Sequence, residues 1–174
     1  MKIYVILLTA LLSACSVNSI SPSTLKQVGA VEMNKNNITF DDGDTISYEN
    51  ITIRILGIDT PEIMHEEHGI FKDQEFGREA AEFTKNRLLK AKTVYYVPCK
   101  KDVYGRMLAH VVIDGELLAA QLIKAGLAYE TISYYGSNGF LEFEQKILEA
   151  WEKVKKPNFE NPILWRRKYQ NDFE

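Results

Sequence analysis

Apolar and polar residues alternate with a period of two over much of the stretch from residue 28 to residue 58. Short β-type runs at 28–33 and 38–40 flank Asn34-Lys35-Asn36-Asn37, which predicts a hairpin. A second pair of strands is predicted at 45–48 and 51–58, turning at Glu49-Asn50. In its second member Ile51, Ile53, Ile55 and Gly57 alternate with Thr52, Arg54 and Leu56, so Arg54 faces away from the isoleucines. Residues 63–75 are polar and irregular, a loop. The period then changes to that of a helix over 77–91, with Ala80, Thr84, Leu88 and Ala91 on one stripe flanked by Ala81. Strands follow at 93–99 and 107–113, around the charged turn Lys100-Lys101-Asp102-Val103-Tyr104-Gly105-Arg106. Asp114-Gly115 is a turn, and a short helix over 117–125 meets its cap at Gly126. A third helix spans 138–155 with a core stripe of Phe140, Phe143, Ile147, Trp151 and Val154; the tail beyond Pro157 is aromatic and basic, anchored by Trp165. Five or so short, closely spaced strands with three helices predict an α+β fold built on a five-stranded barrel.

Length and composition fit this picture. A chain of 174 residues, 45% hydrophobic and 26% charged, makes one domain with a real core. The formal net charge of −3 excludes nucleic-acid affinity from bulk charge alone, so any polyanion must meet a local basic surface. Lys100-Lys101 adjoins the Arg106 turn and suits that role, whereas Lys153 with Lys155-Lys156, and Arg166-Arg167-Lys168, read as solvating a helix end and the tail.

The first fourteen residues read as an export signal: Lys2 supplies the positive start, and the apolar run 3–12 is too short to span a bilayer. It ends in Leu12-Ser13-Ala14-Cys15, which resembles the lipobox of bacterial lipoproteins. That resemblance implies cleavage before Cys15, lipidation of its thiol and a membrane anchor in the cell envelope. The alternative is an ordinary secretory leader with an incidental cysteine. Residues 15–27, Ser- and Asn-rich with one proline, read as the lipidated cysteine and its tether, leaving 28–174 as the functional domain. Only Cys99 then remains, a half-buried strand residue with no disulfide partner.

Candidate chemistry concentrates between residues 42 and 62. Asp42, Asp44, Asp59 and Glu62 share this apolar, β-branched stretch with Arg54. Unpaired buried carboxylates are costly, so such density points to function. Acids with backbone oxygens nearby suit a hard, oxygen-liganded cation, and an arginine beside it suits a phosphate. Together they point to a metal-assisted phosphodiester site. Singly, each has a plainer reading: Asp42 and Asp44 as turn formers, Asp59 with Glu62 as a helix start, Arg54 and Arg106 as surface ion-pair partners.

The residues Asp42-Gly43-Asp44-Thr45, Arg54-Ile55-Leu56-Gly57-Ile58-Asp59-Thr60-Pro61-Glu62, Tyr104-Gly105-Arg106 and Gly126-Leu127-Ala128 resemble the motifs of the staphylococcal nuclease (thermonuclease) family, in order and spacing, over roughly 28–165. The resemblance implies an OB-fold barrel and a calcium-dependent phosphodiesterase that acts on DNA and RNA and leaves 3′-phosphorylated ends. It makes Asp44 and Asp59 calcium ligands, with Thr60 binding through its backbone carbonyl and Asp42 supporting the metal. Glu62 becomes the general base, Arg54 and Arg106 the phosphate-binding arginines, and Tyr104 a tyrosine beside the phosphate. Of two expected base-stacking tyrosines, one position holds Tyr134 and the other Ile132, with Tyr135 or Tyr129 as substitutes; Val103 stands in place of a phosphate-contacting lysine. The loop after Glu62 reads His65-Glu66-Glu67-His68, acidic where the family member compared is lysine-rich; its histidines read as solvated rather than as zinc ligands, because the usual zinc-helix spacing is absent. Nothing calls for more than a monomer. A catalytically silent OB-fold module that binds nucleic acid is the alternative reading.

Overall fold

The computed structural model describes residues 19–136 and 138–170. Strands β1 (Val31–Glu32), β2 (Ile38–Phe40), β3 (Thr45–Tyr48), β4 (Ile51–Ile55), β5 (Ile58–Asp59), β6 (Val94–Lys101), β7 (Met107–Ile113), β8 (Glu116–Leu117) and β9 (Tyr129–Glu130) alternate with helices α1 (Pro22–Gln27), α2 (Gly77–Lys90), α3 (Leu118–Lys124), α4 (Ile132–Tyr135), α5 (Leu141–Glu152) and α6 (Pro162–Tyr169). The main sheet runs in the order β1-β6-β7-β4-β3-β2, with β8 added to β7. All its pairs are antiparallel except β4 with β7. The sheet curls into a half-barrel, so the expected α+β class holds.

Each strand pair follows from local alternation. Ile53 and Ile55 of β4 turn inward while Arg54 stays at the rim, as the period of two requires. On the inner side Ile46, Ile53, Val97, Val111 and Ile113 meet Leu118, Leu122 and Ile123 of α3 and Phe143 and Ile147 of α5. The Ala80–Thr84–Leu88 stripe of α2 is buried as expected. Helix α3 ends in two bonds, Gly126 N–H to Ile123 O at 2.9 Å and Leu127 N–H to Leu122 O at 3.0 Å, which close its last carbonyls and redirect the chain into β9.

The structure departs from the sequence reading in several places. The predicted 28–40 hairpin does not form: β1 pairs with β6, Val31 opposite Tyr96, while β2 pairs with β3. The predicted 51–58 strand breaks at Leu56-Gly57, and Ile58–Asp59 pairs instead with Tyr129–Glu130 in a separate two-stranded ribbon. Gly57 makes that break, with φ at 85° and with Ile147 Cδ1 only 2.6 Å from where a Cβ would stand. Residues 19–27, expected within a tether, fold onto the core through Ile20 and Leu25, with Ser21 capping α1. The third expected helix is shorter, Leu141–Glu152, and the basic tail is itself a helix, α6. The export signal, Cys15 and its lipidation lie outside the described residues. Among the described residues no helix is long and apolar enough to cross a membrane.

Candidate active site

The site lies where the rim of the half-barrel meets the two-stranded ribbon and α6. Asp42 shapes its first wall: its Oδ1 accepts the backbone N–H of Asp44 at 2.9 Å and of Thr45 at 2.6 Å. Helix α2 pins the same turn, because Thr84 donates its hydroxyl to Gly43 O at 2.6 Å. Only glycine fits between them, since a Cβ at residue 43 would stand 2.7 Å from Thr60 Oγ1 and 2.8 Å from Ala80 Cβ. Asp44 is thereby driven inward, fully buried, and its Oδ2 accepts the Thr60 N–H at 2.7 Å. That bond ties the Asp42–Thr45 turn to the Asp59-Thr60 segment. Asp59 and Thr60 are both buried, and Glu62 is 8% exposed.

Arg54 spans the two aspartates. Its Nη1 pairs with Asp44 Oδ1, and its Nη2 donates to Asp59 Oδ1 at 2.5 Å. A positive charge is therefore already held between Asp44 and Asp59. Their oxygen-only donor chemistry, with Asp42 committed to the turn that orients Asp44, fits a hard divalent cation. Arg106 arrives from the turn that leads into β7, the parallel neighbour of β4. Asp102 holds it, accepting its backbone N–H at 2.9 Å and its Nε–H at 2.8 Å. Arg54, Asp59 and Arg106 line one groove of about 440 Å³, joined by Lys100 and Tyr135. The expected arginine pair thus shares the groove with Asp59, and Asp44 is joined to it through Arg54.

One member of the groove went unforeseen. Arg166, expected as a solvated tail residue, points inward from α6 and also lines the groove. Its Nη1 donates to Glu62 Oε1 and, at 3.1 Å, to Asp59 Oδ1, while its Nη2 meets Asp59 Oδ2 at 2.7 Å. Trp165, 6% exposed, seats the helix that carries it. Gln74 was missed too. It donates its backbone N–H to Glu62 O at 2.8 Å, accepts the Glu62 N–H at 3.2 Å and donates from Nε2 to Glu160 O at 2.6 Å. It therefore holds the Glu62 backbone and ties it to the segment leading into α6. Burial raises the pKa of Glu62, and Arg166 pulls it back down. A carboxylate so poised suits proton abstraction.

The aromatic expectations divide. Tyr104 is 82% exposed at the turn tip, its ring 5.5 Å from the Arg106 guanidinium, and does not line the groove. Tyr134 is exposed and outside the lining, whereas its neighbour Tyr135 is within it. Ile132 lines the groove and leans on the core. Tyr129 cannot stand in as a stacking residue, because it packs between Trp151 and Phe159 and donates its hydroxyl to Phe159 O at 2.8 Å.

Residues 52–161 match the family model described as staphylococcal nuclease homologue. The thermonuclease of Staphylococcus hyicus is 33% identical over 120 residues, covering 66% of this chain and 67% of that protein. The thermonuclease of Staphylococcus intermedius is 32% identical over 126 residues, covering 64% and 72%. Endonuclease YncB of Bacillus subtilis is 30% identical over 115 residues, which cover 61% of this chain and 53% of that protein.

Proposed function

The chain belongs to the staphylococcal nuclease family and is a nuclease; on that premise we propose a calcium-dependent phosphodiesterase that cleaves DNA and RNA to 3′-phosphorylated products. The observation that carries the reading is that Arg54, Asp59 and Arg106 line one groove, with Asp44 ion-paired to Arg54 and Glu62 ion-paired to Arg166 of the same lining. Asp44 and Asp59, with the Thr60 carbonyl, would hold the calcium, and Asp42 would keep Asp44 aimed. When bound, calcium supplies Lewis-acid polarisation of the phosphoryl oxygens.

The chain's own residues do the rest. Glu62, clamped at its backbone by Gln74, takes a proton from the attacking water. The water oxygen bonds to phosphorus as the bond to the 5′-oxygen breaks, and that oxygen leaves with a proton from solvent. Arg54 and Arg106, held by Asp59 and Asp102, meet the non-bridging oxygens as charge builds. Loss of one such donor lowers kcat by about 10²–10³-fold. Lys100, on the same groove, steers the polyanion in place of the lysine absent at Val103, and Tyr135 offers a face on which a base stacks.

We further infer that the protein is exported and anchored to the envelope membrane through a lipidated Cys15, acting as a monomer. The test is digestion of single- and double-stranded DNA, and of RNA, by the detergent-solubilised protein with calcium or with a chelator. Calcium-dependent cleavage with 3′-phosphate ends, lost in a folded Glu62→Gln variant, is the expected result. A folded protein that binds nucleic acid without cleaving it would instead establish the non-catalytic binding module. Full activity in Glu62→Gln would remove that residue from its role.

A further inference from the structure

A second group of metal-ligating side chains lies in the loop after Glu62. His65, Glu67 and His68 each offer one ligand atom, and the three atoms lie within 4.8 Å of one another. His65 Nδ1 and Glu67 Oε1 stand 3.4 Å apart. Two ligands on one tetrahedral zinc, each at about 2.0–2.1 Å, are separated by roughly 3.4 Å. That pair already has the separation of two zinc ligands, and the ligand atom of His68 lies within 4.8 Å of both. Its ring already lies edge-on to that of His65, with centroids 5.7 Å apart.

The backbone beneath the three residues is fixed from both sides. Glu66–His68 form one 3₁₀ turn, and His65 and Ile70 exchange backbone bonds of 2.9 and 3.0 Å across it. From outside the loop, Gln170 donates its side-chain N–H to His68 O at 2.9 Å, and Ile70 bridges Gln170. His65 has a further outside partner, the Asp41 carbonyl, 3.4 Å from Nε2. With Nε2–H donating there, the Nδ1 lone pair is left facing Glu67, the arrangement by which proteins set the tautomer and aim of a metal-binding histidine. The histidine side chain is 23% exposed and that of Glu67 71%, so an ion has a path from solvent.

We propose that His65, Glu67 and His68 form a binding site for a zinc-class transition-metal ion, distinct in ligands and in chemistry from the carboxylate groove. Two imidazoles and one carboxylate suit zinc or cobalt, whereas calcium selects oxygen alone. Three protein ligands leave a coordination position open to water. The sequence spacing hides this site, because the ligands sit on a 3₁₀ turn instead of a helix face.

The experiment titrates the full-length, detergent-solubilised protein with Zn²⁺ by calorimetry and with Co²⁺ by visible absorption, in excess calcium. One equivalent of saturable binding is expected, with a cobalt spectrum of low coordination number. The double variant His65→Ala/His68→Ala, and separately Glu67→Gln, should weaken binding at least about tenfold, the least that loss of even a ligand's neighbour costs. Thermal melting without zinc should be the same in all proteins, so that a lost site is not mistaken for a lost fold. Equal zinc affinity in variants and wild type, or zinc displaced by calcium, overturns the proposal, the latter by placing the ion in the groove.

Discussion

Arg166→Gln tests the least expected feature of the groove. Glutamine keeps a hydrogen-bond donor but removes the charge that touches both Glu62 and Asp59. Two opposite charges about 4 Å apart at an effective dielectric of about 20 attract by about 4 kcal/mol, before solvent screening lowers it. The Arg166 side chain is 25% exposed, so part of that attraction survives. Carboxylates beside an arginine are generally held down by about one to three pH units. With Arg166 gone, only the weaker pull of Arg54 opposes burial at Glu62, whose pKa is already raised for that reason. Glu62 must be ionised to accept a proton, so activity is lost as pH falls through its pKa. The assay is kcat/KM against pH on double-stranded DNA at saturating calcium. In Arg166→Gln the acid limb should move upward by about one pH unit or more, leaving rates near the limb about tenfold lower while alkaline rates change less. Calcium should also bind more tightly, measured by calorimetry, because a competing cation has left Asp59. A merely damaged fold lowers the rate equally at every pH. An unmoved limb together with unchanged calcium affinity would refute the coupling.

Three further outcomes follow from the same structure. His110 is buried edge-on between Phe140 and Phe143 with neither ring nitrogen bonded, and burial pushes its pKa down to about 4. The unfolded chain, titrating near 6.5, binds the extra proton between those values. The protein should therefore keep this contribution in full above about pH 6.5 and lose it progressively toward pH 4, by a few kcal/mol at about 1.4 kcal/mol per pH unit; urea melts should show that slope flattened in His110→Leu. Trp165→Ala should cost about 3–5 kcal/mol in the same melts and move the acid limb in the direction of Arg166→Gln, because it unseats α6. Tyr135→Ala should raise KM for single-stranded DNA by about tenfold or more, at the 1–3 kcal/mol of a base stack, while Tyr134→Ala leaves KM nearly unchanged.

Local pattern carried most of the fold. The β3–β4 hairpin, the buried face of α2 and the end of α3 are each fixed by residues within one turn or one strand, so periodicity and caps locate them. What it could not supply was partnership at a distance. Val31–Glu32 have the alternation of a hairpin arm, but their ladder is made with Tyr95 and Tyr96, some sixty residues on. The 19–27 segment is polar enough to read as a tether, yet Ile20 and Leu25 are enough to hold it. Two buried side chains outweigh a polar average because burial is counted per side chain.

The acids of the groove were legible because their neighbours in sequence are their neighbours in space, and the basic partner from α6 was not. The charge balance nonetheless held a clue. Between residues 42 and 62 one arginine serves five carboxylates, Glu49 of the exposed turn among them, and buried carboxylates without counter-charge are unstable. Further cations had to come from elsewhere in the chain. Arg106 satisfies its charge on Asp102, so it leaves the deficit at Glu62 and Asp59 standing. A tryptophan that anchors a helix brings its immediate neighbour to the edge of the same interface, and the neighbour of Trp165 is Arg166. Two weak signals, an unbalanced acidic cluster and a basic residue beside a buried aromatic, thus converge on one contact. The tail helix then completes the electrostatics of the groove, and its docking and the ionisation of Glu62 become a single coupled equilibrium.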